Sequence, residues 1–530
     1  MTAIHAIAHW FDDRLNPVLV KELRQAVRSW FVIIVLMLFL LLMLVTLTIY
    51  LLATDDLGGS FDDGQPIFMI LQGMLLGTCL LFVPIYVGVR LAAERADQNV
   101  DLLYITTLRP MSIAWGKVVC GLTITLLIYS VCAPFLMLTY LLRGIDLPTI
   151  FLALGINLLP MLAVLSLAIL IAALPVSVVM KVILAVLLAV GTVSVYTITM
   201  TMVSTLVFFG IGGRMGSWEF WGPALAGVLL VVGAAGLFFM LAVAALSPPA
   251  SNRALGVRVY ITALVVVTGA VATALHIVLA DDWPFASWYV CAVMLAAMSL
   301  VGSACERDTP GARIQRTIPR WRLFRPMAFV LYSGASGGVL WSVLLAMAVF
   351  AAGWGNYAWV STMRIMPVED AVLHNMQGIW LYVAAYTFTA ILIHRYLMPR
   401  FKSTMTAALA MLLMAIGTVG PMIVAFFIWP TSWHETERGW WLTSVVSPVV
   451  HSGRDFMSSI YLFVGLWLGM AAALAVPWWV RGVRQFTPTS YGAARLAGSV
   501  EEVAVTAPAA SAVVVESSST MAAGEGAADG

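Results

Sequence analysis

The chain has 530 residues, of which 62% are hydrophobic and 10% charged, with a formal net charge of +2. An ordinary soluble domain is about 45–50% apolar and about 25% charged, so a soluble fold could not hide this much apolar surface. The chain therefore reads as an all-α polytopic membrane protein. The charge balance argues neither for nor against nucleic acid, and no nucleic-acid partner is expected.

Residues 1–29 form a mixed, charged lead. The apolar run after them is too long for a signal-peptide core, so no cleavable signal is expected. Within the lead, residues 16–31 predict an amphipathic helix. Asn16 suits the N-cap and Pro17 the first helical position. Leu19, Leu23, Ala26 and Trp30 share one face at helical spacing, with Lys21, Arg24, Gln25 and Arg28 opposite. Such a helix can lie in the membrane interface with its basic groups toward anionic headgroups.

Twelve apolar segments follow, each near or above the ~20 residues a bilayer requires. They are expected at about 30–52, 67–89, 118–142, 150–173, 178–209, 222–246, 257–280, 286–304, 328–353, 377–396, 404–429 and 457–480. The segment 178–209 is overlong, which implies a kink, a tilt or a part outside the bilayer. With the N-terminus inside, 23 of the 28 basic residues fall on inner segments. The outer ones are Arg143, Arg214, Arg364, Arg438 and Arg454. Adding or losing one span would destroy that bias, so both termini are expected on the cytoplasmic side. Residues 487–530 are rich in Ala, Ser, Val, Glu and Gly and read as a disordered cytoplasmic tail.

Little in the spans looks reactive. Cys79, Cys120, Cys132, Cys291 and Cys305 lie in or beside apolar segments without CxxC spacing, as small buried hydrophobes do. No phosphate-loop motif occurs, because Gly116-Lys117 is followed by Val118 and lacks the upstream glycine. An ATP-driven protein of this kind would need a separate ATPase chain. Ion-coupled carriers place charged groups inside spans, whereas here the polar exceptions are Gln72, Asn157 and His276. Lys181 falls at a turn between spans, and His394-Arg395 at a span's inner end. A polytopic glycosyltransferase-like enzyme could use the outer aspartates Asp55, Asp56, Asp62 and Asp63, or Asp281-Asp282, to bind a divalent cation. A solvated acidic loop is the plainer explanation. His374, His434, His451, Glu435 and Glu437 lack a compact metal-ligand spacing.

One polar stretch carries a pattern. Between the second and third spans, Glu94 to Lys117 reads ERADQNVDLLYITTLRPMSIAWGK. If its first part is helical, Glu94, Asp97 and Asp101 lie along one side, with Val100 and Leu103 nearby and Pro110 breaking the helix before the third span. The stretch resembles a pattern of ABC-2 type permeases, close to E-R-x-x-x-x-x-[ED]-L-L-x-x-T-T-L-x-P-x-x-I-x-x-G-K. The wording Asn16-Pro17, then Lys21-Glu22-Leu23-Arg24, is similar to the elbow helix that opens many of those permeases. Where the family often has a glycine–threonine pair, this chain has Gln98-Asn99. The resemblance covers about residues 16–250.

That resemblance implies an export permease of a cell's inner (plasma) membrane, with no catalytic residues or cofactor of its own, driven by a separate dimeric ATP-binding-cassette ATPase. The coupling residues it implies are Glu94, Arg95, Asp97, Asp101, Leu102, Leu103, Thr106, Thr107, Pro110, Gly116 and Lys117. Residues 30–250 would then be one six-span domain. Residues 251–486 would be a second six-span region, and Glu306-Arg307 and Arg325-Pro326 echo Glu94-Arg95 and Arg109-Pro110. A basic loop obeying the charge rule explains that echo more simply. The chain either supplies both halves of an export pathway or pairs with a second permease chain. A membrane enzyme using the outer aspartates is the alternative, and a secondary transporter the third.

Overall fold

The computed structural model of the chain describes residues 17–55, 64–96, 110–142, 145–209, 217–248, 250–319, 321–363, 365–428, 442–450 and 454–488. Among these residues every regular element is helical. A short helix, α1 (Pro17–Val27), precedes twelve helices long and apolar enough to cross a membrane. The first six are α2 (Trp30–Asp55), α3 (Gly64–Ala96), α4 (Pro110–Leu141), α5 (Leu147–Ala173), α6 (Val178–Phe209) and α7 (Trp218–Leu246). The second six are α8 (Ala254–Leu279), α9 (Trp283–Ala304), α10 (Ala335–Thr362), α11 (Asp370–Leu392), α12 (Met405–Ile428) and α13 (Arg454–Gln485). The chain is an all-α, multi-pass membrane protein.

Helices suit that setting because lipid offers no partner for backbone groups, so each span must bond to itself. Hydroxyls inside the spans follow the same rule. Thr48 donates to Leu44 O at 2.8 Å, Thr125 to Gly121 O at 3.0 Å and Thr192 to Leu188 O at 2.8 Å.

Several boundaries differ from the expectation, and the differences matter. Helix α3 runs on to Ala96, so Glu94 and Arg95 sit on the span's own helix and not on a separate surface helix. Pro110 opens α4, which suits a residue with fixed φ and no N–H; whether it also ends a helix before it falls on residues 97–109, outside the described residues. Gly116 and Lys117, expected just outside the third span, are thereby buried inside α4. The overlong 178–209 segment is a single helix. Residues Arg325–Leu331 form a separate short helix, and the ninth span begins only at Ala335. Residues 487–488 are described; the rest of the expected tail lies outside the described residues.

The spans pack as two six-helix halves. One apolar core runs from Ala26 to Leu246 and others lie between Ile261 and Trp478. In the first half α5 packs on α3, α4, α6 and α7, α3 also on α2, α4 and α6, and α4 also on α2 and α7. Each of these pairs recurs six helices later: α11 packs on α9, α10, α12 and α13, α9 also on α8, α10 and α12, and α10 also on α8 and α13. Helices α6 and α12 take equivalent places and expose most of their apolar surface in both halves. The halves join where α7 packs on α8. There Gly233 and Gly236 let the helices approach, Tyr260 Oη donating to Gly233 O at 3.1 Å.

Candidate functional site

Lys117 lies in the second turn of α4 with its side chain 2% exposed. A lone ammonium there would cost several kcal/mol (on the order of the burial penalty for one ion), so it needs charged partners. It has two. Its Nζ is 2.7 Å from Glu22 Oε1 on α1 and 2.9 Å from Glu94 Oε2 on α3. Glu22 is 4% exposed and Glu94 26%. One side chain thus ties the short N-terminal helix, the end of α3 and the start of α4 together.

Glu22 can reach Lys117 because Leu19, Glu22 and Ala26, spaced by a helical turn, form the buried face of α1. That face is rotated from the expected apolar stripe. Leu23 is half-buried against the first-half core, and Trp30 is 77% exposed at the start of α2. Lys21 and Arg24 are exposed as expected, and Pro17 opens the helix. Asn16 lies outside the described residues.

Arg95, next to Glu94, points the other way. Its Nη2 donates to Ala245 O at 3.0 Å and its Nη1 to Ala173 O. These carbonyls close α7 and α5, where the last turn leaves unpaired acceptors and partial negative charge. A single turn of α3 therefore holds α1 and α4 through Glu94, and α5 and α7 through Arg95. One turn earlier, Arg90 donates to Tyr86 Oη at 2.7 Å and to Gln25 Oε1 at 2.5 Å. Glu94, Arg95, Pro110, Gly116 and Lys117 flank the 97–109 segment. Asp97, Asp101, Leu102, Leu103, Thr106 and Thr107 lie outside the described residues.

The second half repeats the arrangement with other residues. Glu306, just past α9, pairs with Arg258 Nη2 at 2.5 Å and accepts the Gly334 N–H at 2.7 Å, immediately before α10. Burial holds the Glu306 carboxyl above the usual carboxylate range, while Arg258 and the Gly334 N–H pull it back. Arg258, 2% exposed on α8, also donates to Val330 O at 2.8 Å and Tyr332 O at 2.6 Å. Asp308 pairs with Arg395 at the end of α11 and accepts from Trp478 Nε1 of α13 at 3.1 Å. Asp308 thus does for α11 and α13 what Arg95 does for α5 and α7. Sequence reasoning counted Lys117 and Arg258 as inner-loop cations and missed Asp308. The available signal was a lone cation within a turn or two of an apolar helix's end.

Of the other polar groups singled out in the sequence, Gln72 and His276 each meet one carbonyl, whereas Asn157, buried in α5, has no hydrogen-bond partner on either amide atom among the described residues. Gln72 donates to Ala153 O at 3.3 Å, joining α3 to α5, and buried His276 meets Met366 O at 3.0 Å. Lys181 falls in the first turn of α6, and His394-Arg395 in a π-helical turn ending α11. Among the described residues no group of three His, Cys, Asp or Glu could hold a metal ion. Asp55 ends α2, while Asp56, Asp62, Asp63, His434, Glu435, Glu437 and His451 lie outside the described residues. Compared with protein-family models, curated proteins and solved structures, the chain matches none.

Proposed function

We propose that this chain is the membrane permease of an ATP-binding-cassette exporter of the ABC-2 type, driven by a separate ATPase dimer. The observation that carries the reading is the buried Glu22–Lys117–Glu94 cluster. It joins the N-terminal elbow helix to both ends of the 97–109 segment, whose wording resembles the ATPase-facing loop of those permeases. A push on that segment would be felt at once by α1, α3 and α4, and through Arg95 by α5 and α7. In this reading the ends of the spans that carry these clusters face the cytoplasm across the cell's inner membrane, with both termini inside.

The repeated packing of α2–α7 in α8–α13 supports one chain supplying both halves of the pathway, without a second permease chain. The chain would hydrolyse no ATP itself. The test is to replace Asp101, Leu102 and Leu103 by Ala in the full chain co-expressed with a candidate ATPase. Export and stimulated ATP hydrolysis should fall at least tenfold, while the spans stay folded by circular dichroism. Unchanged export and unchanged co-purification of the ATPase would refute the coupling role, and ATP hydrolysis by the chain alone would refute the division of labour.

A further inference from the structure

A groove of about 780 Å³ opens beside α1, between the end of that helix, the start of α2 and the last turns of α3. Three arginines line it: Arg24 and Arg28 from α1 and its end, and Arg90 from α3. None of its lining residues is acidic. The nearest carboxylates along these helices, Glu22 and Glu94, are both engaged by Lys117. Three guanidiniums lining one groove give it a positive charge that an anion complements. Arg90 is held in place, its two terminal nitrogens donating to Tyr86 and Gln25.

The other wall of the groove is apolar. Phe31, Ile85 and Val89 line it, and all three are exposed. Phe31 stacks on Tyr86 with ring centroids 6.2 Å apart, which fixes that wall. From the groove an exposed strip continues along α3 through Val89, Ile85 and Leu81, at successive helical turns toward the middle of the span. A second strip, Phe31, Ile34 and Leu38, runs beside it on α2. A soluble phosphate needs no such rails. An anion carrying acyl chains does.

We infer that this groove is a binding site for an anionic glycerophospholipid. The phosphate headgroup would sit among Arg24, Arg28 and Arg90, and an acyl chain along Leu81, Ile85 and Val89. Basic clefts between membrane helices recognise acidic headgroups in this way, each basic residue contributing a roughly fivefold preference. The inference does not depend on what drives the protein. It makes the lipid a third element joining α1 to α3, beside the Lys117 cluster and the Arg90–Gln25 bond.

The experiment uses the delipidated full chain and native mass spectrometry to compare phosphatidylglycerol with phosphatidylcholine. The expected result is preferential retention of phosphatidylglycerol. R24Q/R28Q should reduce that preference roughly 25-fold, about fivefold per guanidinium, whereas R24K/R28K should keep most of it. Both arginines are exposed, so the variants should fold. Control R400Q/K402Q neutralises two exposed basic residues outside the groove and should change nothing. Equal retention of the two lipids by the unaltered chain would overturn the site, as would an unchanged preference in R24Q/R28Q. An equal loss in R400Q/K402Q would reduce the effect to overall charge. Displacement of phosphatidylglycerol by glycerol phosphate at comparable concentrations would overturn the lipid and leave a soluble phosphate site.

Discussion

Lys117→Met is the sharpest perturbation, because methionine keeps the length and removes the charge. Glu22, 4% exposed, is then left as a buried carboxylate without its partner. Breaking a buried ion pair from one side costs about 3–5 kcal/mol. Glu94, 26% exposed, can turn to solvent, so its share is discounted. We take ~3 kcal/mol, the lower bound, which corresponds to more than a 100-fold rise in the population with α1 undocked, at about 1.4 kcal/mol per tenfold. The assay is amide hydrogen exchange over Pro17–Val27 in the full chain, with α5 as the internal reference; local opening is the right quantity where unfolding of twelve spans is not two-state. The double variant K117M/E22L removes the orphaned carboxylate, and apolar replacements of buried ion pairs are often neutral. Its exchange should return to within about tenfold of the unaltered chain. Exchange in K117M within about fivefold of the unaltered chain would refute the reasoning. So would a double variant as open as the single.

Two further perturbations test the clamps. Arg95→Ala strips donors from the carbonyls of Ala173 and Ala245, a loss of about 1–3 kcal/mol. Hydrogen exchange in the last turns of α5 and α7 should rise together, and a rise in neither would show that the arginine holds nothing. In the second half, the Glu306 carboxyl is held above its usual range by burial. A raised folded-state value means that this group's stabilising contribution is complete at low pH and is lost as pH climbs through that value. Acidification from pH 7 to 5 should therefore not weaken the second half through Glu306. Glu306→Gln should cost about 1 kcal/mol or less, whereas Arg258→Met leaves the carboxylate with the Gly334 N–H but no cation, and takes a donor from the Val330 and Tyr332 carbonyls, and should cost about 3 kcal/mol. Amide hydrogen exchange at the start of α10 in the two variants checks the order; a larger rise in Glu306→Gln would reverse the assignment.

The spans were legible because period and length speak directly. A run such as Trp30 to Leu52 has no charged residue, and nothing but a buried or lipid-covered helix can use it. The ends were harder to read, for a physical reason. A cation near a helix end can snorkel to the surface or turn inward to a carboxylate, and composition does not distinguish the two. Lys117 turned inward because Glu22 and Glu94 come from helices distant in sequence, which no local window contains. The face of α1 was misjudged for the same reason: Glu22 reads as polar until its partner is known. Gln72 and His276 each meet a neighbouring carbonyl, as a lone polar side chain in a span usually does, whereas Asn157, named with them, meets none among the described residues.

The faintness of the sequence echo between the halves follows from how the ends are held. In the first half the residue after Glu94 is a cation, Arg95, set on the bare carbonyl ends of α5 and α7. In the second half the work falls to an anion, Asp308, two residues after Glu306, because α11 ends on a cation, Arg395, and α13 offers an indole N–H. The sign of the charge is reversed on both sides of the contact. The helices brought together stay the same: second, fourth and sixth of each half. A contact of this kind constrains the product of two charges and the place where they meet, and leaves each residue free to change with its partner. The helix packing can therefore repeat in full where the residues hardly repeat at all. Glu94 and Glu306 carry the same charge because each meets a buried cation: Glu94 meets Lys117 on the next helix, and Glu306 meets Arg258 on the preceding one while also accepting the Gly334 N–H before α10.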